Sequence, residues 1–572
     1  MKIKEIENSI VSEVKKALKK PDLNVVLEHP SNPKFGDFAV CLFPFVKETG
    51  KSPQDIGDVL IKELQSLDFI EKATVLFPYL NIEIKKDFFI KSAINEAGTI
   101  RKSEKKEKVL IEYIAPNTNK PLHLGHLRNG FFGTAVSNIF KATGKKVVRV
   151  NLVNDRGEHI CKSMLAYKKW GEGKTPNEEG IKGDHFVGNF YVKYSNEEKK
   201  NPLLKEEVHK MLVLWEQGDK ETISLWKKMN SWVYDGFKKT YNDFGFEFDF
   251  VYYESKLYNI GKEIVKKAAE KGVFYYGEEG DILFDLPEEK FGLDKNGKRR
   301  KITLLRKDKT NLYVTQDIGV AVKKMEDHNF DKSIYITSME QVYHFQCLFE
   351  ILKVLKYKWV EKLYHLPYAM VFLPEGKMKS REGKVVDADN LLYEVKENAK
   401  KEIILRYGKI KDLEERALKI ALGAIKFQLL FIHPCQDIYF DPEKSVSFEG
   451  ATGPYCQYSY ARAKSIIRKS GRKKIKKNVN FSVLKEEEEI VLVRKIICFD
   501  REIKIAMETF NPSKIANYLY ELSKDLNRFY AKHSVLNSDK ETEEARIALI
   551  FAVSLVLEKG FGILGIPLLE EM

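Results

Sequence analysis

A short apolar run, Val109 to Ile114, is followed by the loop APNTNKP, a helical stretch from about Leu124 to Ala142 that ends at Gly144, and a second apolar run, Lys146 to Asp155. Leu127, Phe131, Ala135 and Ile139 recur at helical spacing along the middle piece. Strand, helix and strand within about 45 residues make a βαβ unit, which implies a parallel sheet and a right-handed crossover. In such sheets ligands bind beyond the carboxyl ends of the strands, where the APNTNKPLHLGH loop falls.

The chain around this unit divides by composition. RKSEKKEK, Arg101 to Lys108, is a charge run without an apolar face and reads as a linker. Before it, Ile3, Ile6, Ile10, Val14 and Ala17 mark one amphipathic helix, and SNPKFGDFAV reads as a turn into a strand or helix. After the unit, Cys161 to about Phe284 is rich in Lys, Glu, Trp and Tyr and reads as a helical insertion. Sheet-like segments return at NLYVTQDIGVAV, KSIYITS and KLYHLPYAMVFL. From Gly450 onward GPYCQYSYARAKSIIRK, ICFDREIKIAMETF, SKIANYLYELSKDLNRFYAKH and ARIALIFAVSLVLEKGFGIL all read as helices, with GRKKIKK and KEEEE as solvated loops between them. Ile547 to Leu557 is apolar but shorter than the roughly twenty residues of a membrane span, and reads as a core helix. The expected fold is multidomain α/β: a small α+β domain over 1–105, a Rossmann-like parallel-sheet domain with a helical insertion over 106–449, and an all-α bundle over 450–572.

Lys plus Arg number 97 against 83 Asp plus Glu, a net charge of +14, and 12% of residues are aromatic. A basic, aromatic-rich chain of this size points to a polyanionic partner. The six cysteines stand far apart with no C-x-x-C pair, so neither a zinc ribbon nor a disulfide framework is expected, and no protein-bound metal. The N-terminus has no apolar core of signal-peptide length, and a cytoplasmic location away from membranes is expected.

The sharpest local feature is His123-Leu-Gly-His126 at the start of the helix. Imidazoles three apart face one way, and a helix N-terminus offers free N–H groups and partial positive charge to a phosphate. Gly125 costs roughly 1 kcal/mol in a helix relative to Ala, which an approaching flat group such as a purine would justify. A metal pair is the competing reading, although the nine other histidines form no second nearby pair. GKMKSREGK, Gly376 to Lys384, is a Gly-flanked basic loop whose ammonium groups could neutralise a leaving pyrophosphate; alone it also fits a basic surface loop.

A strand with an H-x-G-H loop, a late Lys-Met loop and a helical C-terminal part resembles a class I aminoacyl-tRNA synthetase. The finer text resembles the arginyl-tRNA synthetase family over nearly the whole chain: FGDFAV, IEYIAPNTNKPLHLGHLRNG, LYVTQDIG, the spaced Gln341, SFEGATGPYCQYSYAR and NPSKIANYLYELSKDLNRFY. The resemblance implies ATP-dependent charging of tRNA with arginine for protein synthesis, with Mg²⁺ accompanying ATP, a first step that needs bound tRNA, and a monomer. It implies an arginine pocket of Glu112, Asn117, Tyr313, Asp317 and Gln341, with Ala115 where the family usually has Ser. A planar guanidinium suits carboxylate partners. ATP would meet Pro116, His123, Gly125, His126, Met378 and Ser380, with His123, His126, Lys120, Lys377 and Lys379 catalytic. Ser380 stands where the common loop has its second lysine; Lys120, three before His123, is the substitute that many arginyl enzymes carry. The resemblance also makes the C-terminal bundle an anticodon-binding domain, with Tyr455, Tyr458, Arg462, Tyr530 and Met572 beside the tRNA, since unpaired bases stack on aromatic and guanidinium faces. Packing within the bundle is the alternative for each tyrosine. The rivals are another class I enzyme such as the cysteinyl one, a non-catalytic tRNA-binding paralogue and a small-molecule nucleotidyltransferase.

Overall fold

The computed structural model describes residues 2–30, 35–308, 310, 312–374, 386–476 and 478–572. Lys377, Met378, Lys379 and Ser380 lie outside these, as does part of SNPKFGDFAV.

The N-terminal part is a four-stranded antiparallel sheet, Leu27–Glu28, Phe38–Cys41, Tyr79–Ile84 and Ile70–Leu76 in that spatial order. The helix Ile3–Ala17 buries Ile3, Ile6, Ile10 and Val14, the stripe its spacing predicts. The charged run after it is more than a tether. The Arg101 backbone N–H donates to Asp500 at 2.8 Å and its guanidinium pairs with Glu7 at 2.8 Å, while Asp37 meets Arg494 at 2.8 Å. These contacts fasten the N-terminal part to the C-terminal helices.

Strand β1, Lys108–Glu112, leads through helix α1, Leu124–Ala142, to β2, Lys146–Val153, as the βαβ pattern predicts. Strand β3, Phe250–Tyr253, helix α2, Tyr313–His328, β4, Lys332–Ser338, helix α3, Val342–Val354, and β5, Leu363–Tyr368, complete a five-stranded sheet. It is parallel throughout, in the order β5-β4-β1-β2-β3. The chain runs outward from β1 to β3, then crosses to the other side of β1 at β4. That reversal puts a topological switch point between β1 and β4.

Two expectations change here. The Cys161–Phe284 stretch is helical, yet it also contributes β3, an edge strand of the parallel sheet. NLYVTQDIGVAV is not a strand: from Tyr313 it is helix α2. Its β-branched residues suggest a sheet, but Val314, Ile318 and Ala321 are buried at helical spacing. Close packing decides it. A Cβ on Gly261, in the helix Glu254–Glu270, would lie 1.8 Å from the Thr315 carbonyl oxygen, and Gly319 faces the same helix. Only a pair of glycines lets the two helices approach this closely.

From Ala388 onward the chain is mainly helical: α4, Ala388–Tyr407; α5, Leu413–Phe431; α6, Gly453–Lys469; α7, Glu487–Glu508; α8, Ser513–Lys532; and α9, Lys540–Leu564, with the short strand Ile438–Tyr439 paired to Val371–Phe372. Helix α5 packs on α6 and α8 and also on α1, so the helical body reaches the parallel-sheet domain. KEEEE is the start of α7 rather than a solvated loop. Glu486 and Glu489 form a capping box, and buried Glu489 accepts from Arg546 at 2.8 Å. Helix α9 is long and apolar enough to cross a membrane, but its apolar residues Ala545 to Leu564 are largely buried among neighbouring helices.

Candidate active site

At the end of β1 the backbone enters the left-handed region at two consecutive non-glycine residues, Ile114 (φ 74°) and Ala115 (φ 46°). Each such residue costs about 1–3 kcal/mol, so the surroundings must hold it. Three asparagines do so. Asn129 accepts from the Ile114 N–H at 2.6 Å, Asn151 accepts from the Ala115 N–H at 3.2 Å, and the Asn154 amide donates to the Ala115 carbonyl at 3.1 Å. Asn129 is itself fixed by donating to the Ile336 carbonyl at 2.8 Å. This kinked turn carries the loop across the switch point to His123.

His123 is the N-cap of α1, extended at φ −135°, and its Nδ1 accepts from the Gly125 N–H at 3.2 Å. His126 Nδ1 accepts from the His123 N–H at 3.2 Å. The H-x-G-H segment is thus a capping box built from imidazoles, with ring centroids 3.9 Å apart. A Cβ on Gly125 would press to 3.1 Å on the His123 ring, so glycine is needed for the cap as well as for any flat ligand. With both Nδ1 atoms accepting, both rings carry their proton at Nε2. Burial, aided by the Lys120 charge, pushes the His123 pKa down to about 3. Burial, the His123 neighbour and Lys120 push His126 down as well. Two neutral Nε2–H donors therefore stand at a helix N-terminus.

One cavity of about 670 Å³ spans the switch point. It is lined by Glu112, Asn117, His123, Gly125, His126, Tyr313, Asp317 and Gln341, so residues scattered over 230 positions of sequence meet in one place. Pro116 lies just behind, its carbonyl accepting from the Asn154 N–H at 2.9 Å. The acids are not bare. Glu112 is ion-paired with Lys324, which is fully buried and lies 4.5 Å from the centre of the Tyr335 ring. Burial pushes the Glu112 carboxyl up against the opposing pull of Lys324. Asp317 Oδ2 is 2.6 Å from His344 Nε2. A third acid, Glu254, is 3% exposed and leaves Oε2 without a partner among the described residues. Burial raises its pKa to about 8 despite Arg156 at 4.0 Å, and the field of Asp317 reaches it.

Lys324, His344, Glu254 and the three asparagines are absent from the sequence-based site. Only Asn151 and Asn154 leave a trace, as polar residues in the otherwise apolar run VNLVND.

The N-terminus of α4 is tied to the same loop. Ala388 donates its N–H to the Leu122 carbonyl at 2.9 Å, and Asp387 bridges the His123 backbone. Asp389 accepts from Lys182 at 2.7 Å, His185 at 2.8 Å and Thr240 at 3.2 Å. Asp184, His185 and Asp389 have metal-ligand spacing, but the Lys182 ammonium already sits between the two carboxylates, 3.3 Å from Asp184.

A second cavity, about 810 Å³, lies in the C-terminal helices. Tyr458, Arg462, Tyr530 and Met572 line it, with Arg416, Arg468 and Lys469 adding positive charge. The Arg462 guanidinium is stacked between Tyr458 and Tyr530, 5.0 and 4.7 Å from their ring centres, and donates to Asn527 at 3.1 Å. Tyr455 is not in this lining. Its ring faces Tyr520 at 5.8 Å, half-buried against the core.

The model for tRNA synthetases class I (R), catalytic domain, matches residues 90–441. The chain belongs to the arginyl-tRNA synthetase family. The model for the arginyl tRNA synthetase N terminal domain matches residues 4–84, and that for the DALR anticodon binding domain matches 456–572. An arginine–tRNA ligase of Treponema denticola is 43% identical over 568 residues, covering 96% of this chain and 94% of its own. One from Borrelia hermsii is 39% identical, covering 100% and 99%. The Thermus thermophilus arginyl-tRNA synthetase structure superposes with a TM-score of 0.83 at 24% identity, covering 99% of this chain and all of that one, which speaks for the shared fold.

Proposed function

We propose that this chain attaches arginine to the 3′ end of tRNA at the expense of ATP, through an arginyl-adenylate. One observation carries the reading: at the switch point, two neutral imidazole donors on a helix N-terminus share a cavity with the Asp317 carboxylate. The donors suit phosphoryl oxygens, and the acid suits a guanidinium. The arginine carboxylate attacks the α-phosphate of ATP in line and pyrophosphate leaves. A ribose hydroxyl of the tRNA 3′ end then attacks the carbonyl of the mixed anhydride and AMP leaves. Catalysis of this kind is positioning and charge stabilisation.

In this reading His123 and His126 donate from Nε2 to the phosphates, with Gly125 and Pro116 shaping the nucleotide side, and Lys120 supplies charge close to both rings. Lys377, Met378, Lys379 and Ser380 keep the phosphate roles implied by the motif. Asp317 takes the guanidinium, and Glu112, Asn117, Tyr313 and Gln341 frame the amino acid. Glu112 and Asp317 each already hold an internal base, which suits Mg²⁺ arriving on the ATP phosphates as part of the substrate. As a translation enzyme the chain would act in the cytoplasm, as a monomer. Pyrophosphate exchange measured for each standard amino acid, with and without tRNA, tests the reading. Exchange that depends on arginine is expected, and exchange with a different amino acid overturns it.

Asp317→Asn keeps shape and removes charge. Hydrogen bonds to charged groups are worth about 1.5–3 kcal/mol. The arginine KM is therefore expected to rise about 10–100-fold, with little change in the ATP KM. Equal changes in both would mark a structural role instead.

The C-terminal cavity suits a splayed base, because Arg462 and its two tyrosines present stacked π faces in a lining with more basic than acidic groups. Met572 closes one side of it. Its backbone neighbours are held: Arg468 donates to the Glu570 carbonyl at 3.0 Å and pairs with Glu571 at 3.0 Å. Deleting Met572, or extending the chain beyond it with a bulky tag, should raise the tRNA KM while leaving melting and arginine and ATP binding unchanged. Unchanged kcat/KM for tRNA would remove Met572 from the contact.

A further inference from the structure

Asp317 and His344 lie on neighbouring helices, α2 and α3, and both line the substrate cavity. Nothing in the spacing of the sequence pairs them, yet His344 Nε2 stands 2.6 Å from Asp317 Oδ2. We propose that the His344 imidazolium and the arginine guanidinium compete for the Asp317 carboxylate, so that arginine binding drives a proton from His344 into solvent. This rests on the reading of Asp317 as the guanidinium's partner.

The surroundings support a competition for that one acid. Along α2, Lys324 is already committed to Glu112 of β1. On β5, His365 is held by Thr337 of β4 at 2.7 Å, and burial together with the His344 charge pushes its pKa down to about 4. It therefore adds no second cation. The turn Met339–Gln341 brings Glu340 and the neutral Gln341 to the cavity wall. Glu254, at the head of the helix packed on α2, lies within the field of Asp317. The charged residues of the short helix Lys358–Lys362 sit beyond the far end of α3, roughly 15 Å along its axis at 1.5 Å per residue. Among the described groups, Asp317 is the carboxylate that touches His344.

Burial lowers the affinity of His344 for its proton, but the hydrogen bond to Asp317 and its charge outweigh burial and raise the pKa above its ordinary value. A guanidinium at the same carboxylate places a second positive charge beside the ring and reverses that gain. The Nδ1–H bond breaks and the proton leaves to water. The neutral ring keeps Nε2–H on Asp317 Oδ2, and Oδ1 is left to the guanidinium. Proton and arginine then bind antagonistically, by reciprocal linkage. Below the raised His344 value the arginine Kd rises by up to about tenfold per pH unit, and above it the Kd is flat.

The test is calorimetric titration of the full chain with arginine, in paired buffers of different ionisation enthalpy, from pH 6 to 9. Wild type is expected to release a fraction of a proton at the acid end and none at the alkaline end, with the Kd falling as pH rises. His344→Gln, whose amide can still donate to Asp317, is expected to bind arginine with no proton release and a flat pH profile. His344→Asn serves if that variant does not fold. Arginine binding by wild type without proton release overturns the role of His344 and leaves the synthetase reading standing. The same result follows if proton release persists in His344→Gln. A wild-type protein that does not bind arginine at all overturns both.

Discussion

Changing either His123 or His126 to alanine should cut adenylate formation by about 10²-fold or more, the usual effect of removing one fixed donor from developing oxyanion charge. Pyrophosphate exchange at saturating arginine is the measurement, and near wild-type rates in both variants would sink the phosphate role. The geometry adds a second consequence. His123 is also the N-cap of α1 and His126 holds the His123 N–H, so each change loosens the first turn of the helix. A lost N-cap costs about 0.5–2 kcal/mol. That is small against a multidomain fold, so melting should fall by only a few degrees while catalysis falls a hundredfold. Asparagine at position 123 separates the two effects, because it restores a cap without supplying the imidazole donor. Burial keeps both rings neutral in the free protein, with His123 at about 3. The pH profile of kcat/KM for ATP should therefore carry no step near 6.5 from this pair, since that ratio reports the free enzyme.

How much of this could be read from the sequence depends on the range over which each feature is decided. The βαβ unit was legible because its periods are local, and the helices of the tail were legible for the same reason. H-x-G-H announced a helix N-terminus, although its role as a reciprocal cap needed coordinates. The resemblance named Glu112, Asn117, Tyr313, Asp317 and Gln341, and the fold brings all five to the lining of one cavity. What the sequence hid are choices made by distant partners. NLYVTQDIGVAV looks like a strand by composition and is a helix because Gly319 meets Gly261. KEEEE looks solvated, yet Glu489 is buried against Arg546, 57 positions away. Tyr455 and Tyr458 are equivalent by spacing, and only the packing of Tyr520 sends Tyr455 away from the groove. Lys324 is one lysine among many until the fold lays it under Glu112, 212 positions earlier.

That last pair yields the largest expected effect on stability. Lys324→Met leaves the Glu112 carboxylate buried between β1 and β4 without its cation, facing Tyr335, its register partner on β4. Breaking a buried ion pair by removing one partner costs about 3–5 kcal/mol, because the remaining charge must be neutralised or hydrated. Burial already raises the Glu112 carboxyl, and Lys324 opposes it. Without the lysine the folded-state pKa rises further above the unfolded value. A carboxyl with a raised folded pKa contributes stability below its unfolded pKa and loses it as pH climbs through the folded one. The variant should therefore be nearly normal at about pH 4.5–5 and increasingly destabilised toward pH 8, whereas wild type, whose Glu112 carboxyl is raised less because Lys324 opposes burial, should show a shallower slope of the same sign. Adding Glu112→Gln removes the orphaned charge. The double variant should recover most of the loss, and its pH slope should vanish, because the coupling between the two sites is the ion pair itself. Thermal melting of the four proteins of this cycle at pH 5 and pH 8 is the measurement. A double variant as unstable as Lys324→Met at pH 8 would mean that lysine packing over Tyr335, and not charge pairing, holds this part of the sheet. The function follows the same electrostatics. With Glu112 neutralised from within, the net negative charge offered to a guanidinium comes from the Asp317 side of the cavity, which is why Asp317→Asn should weigh more on the arginine KM than Glu112→Gln.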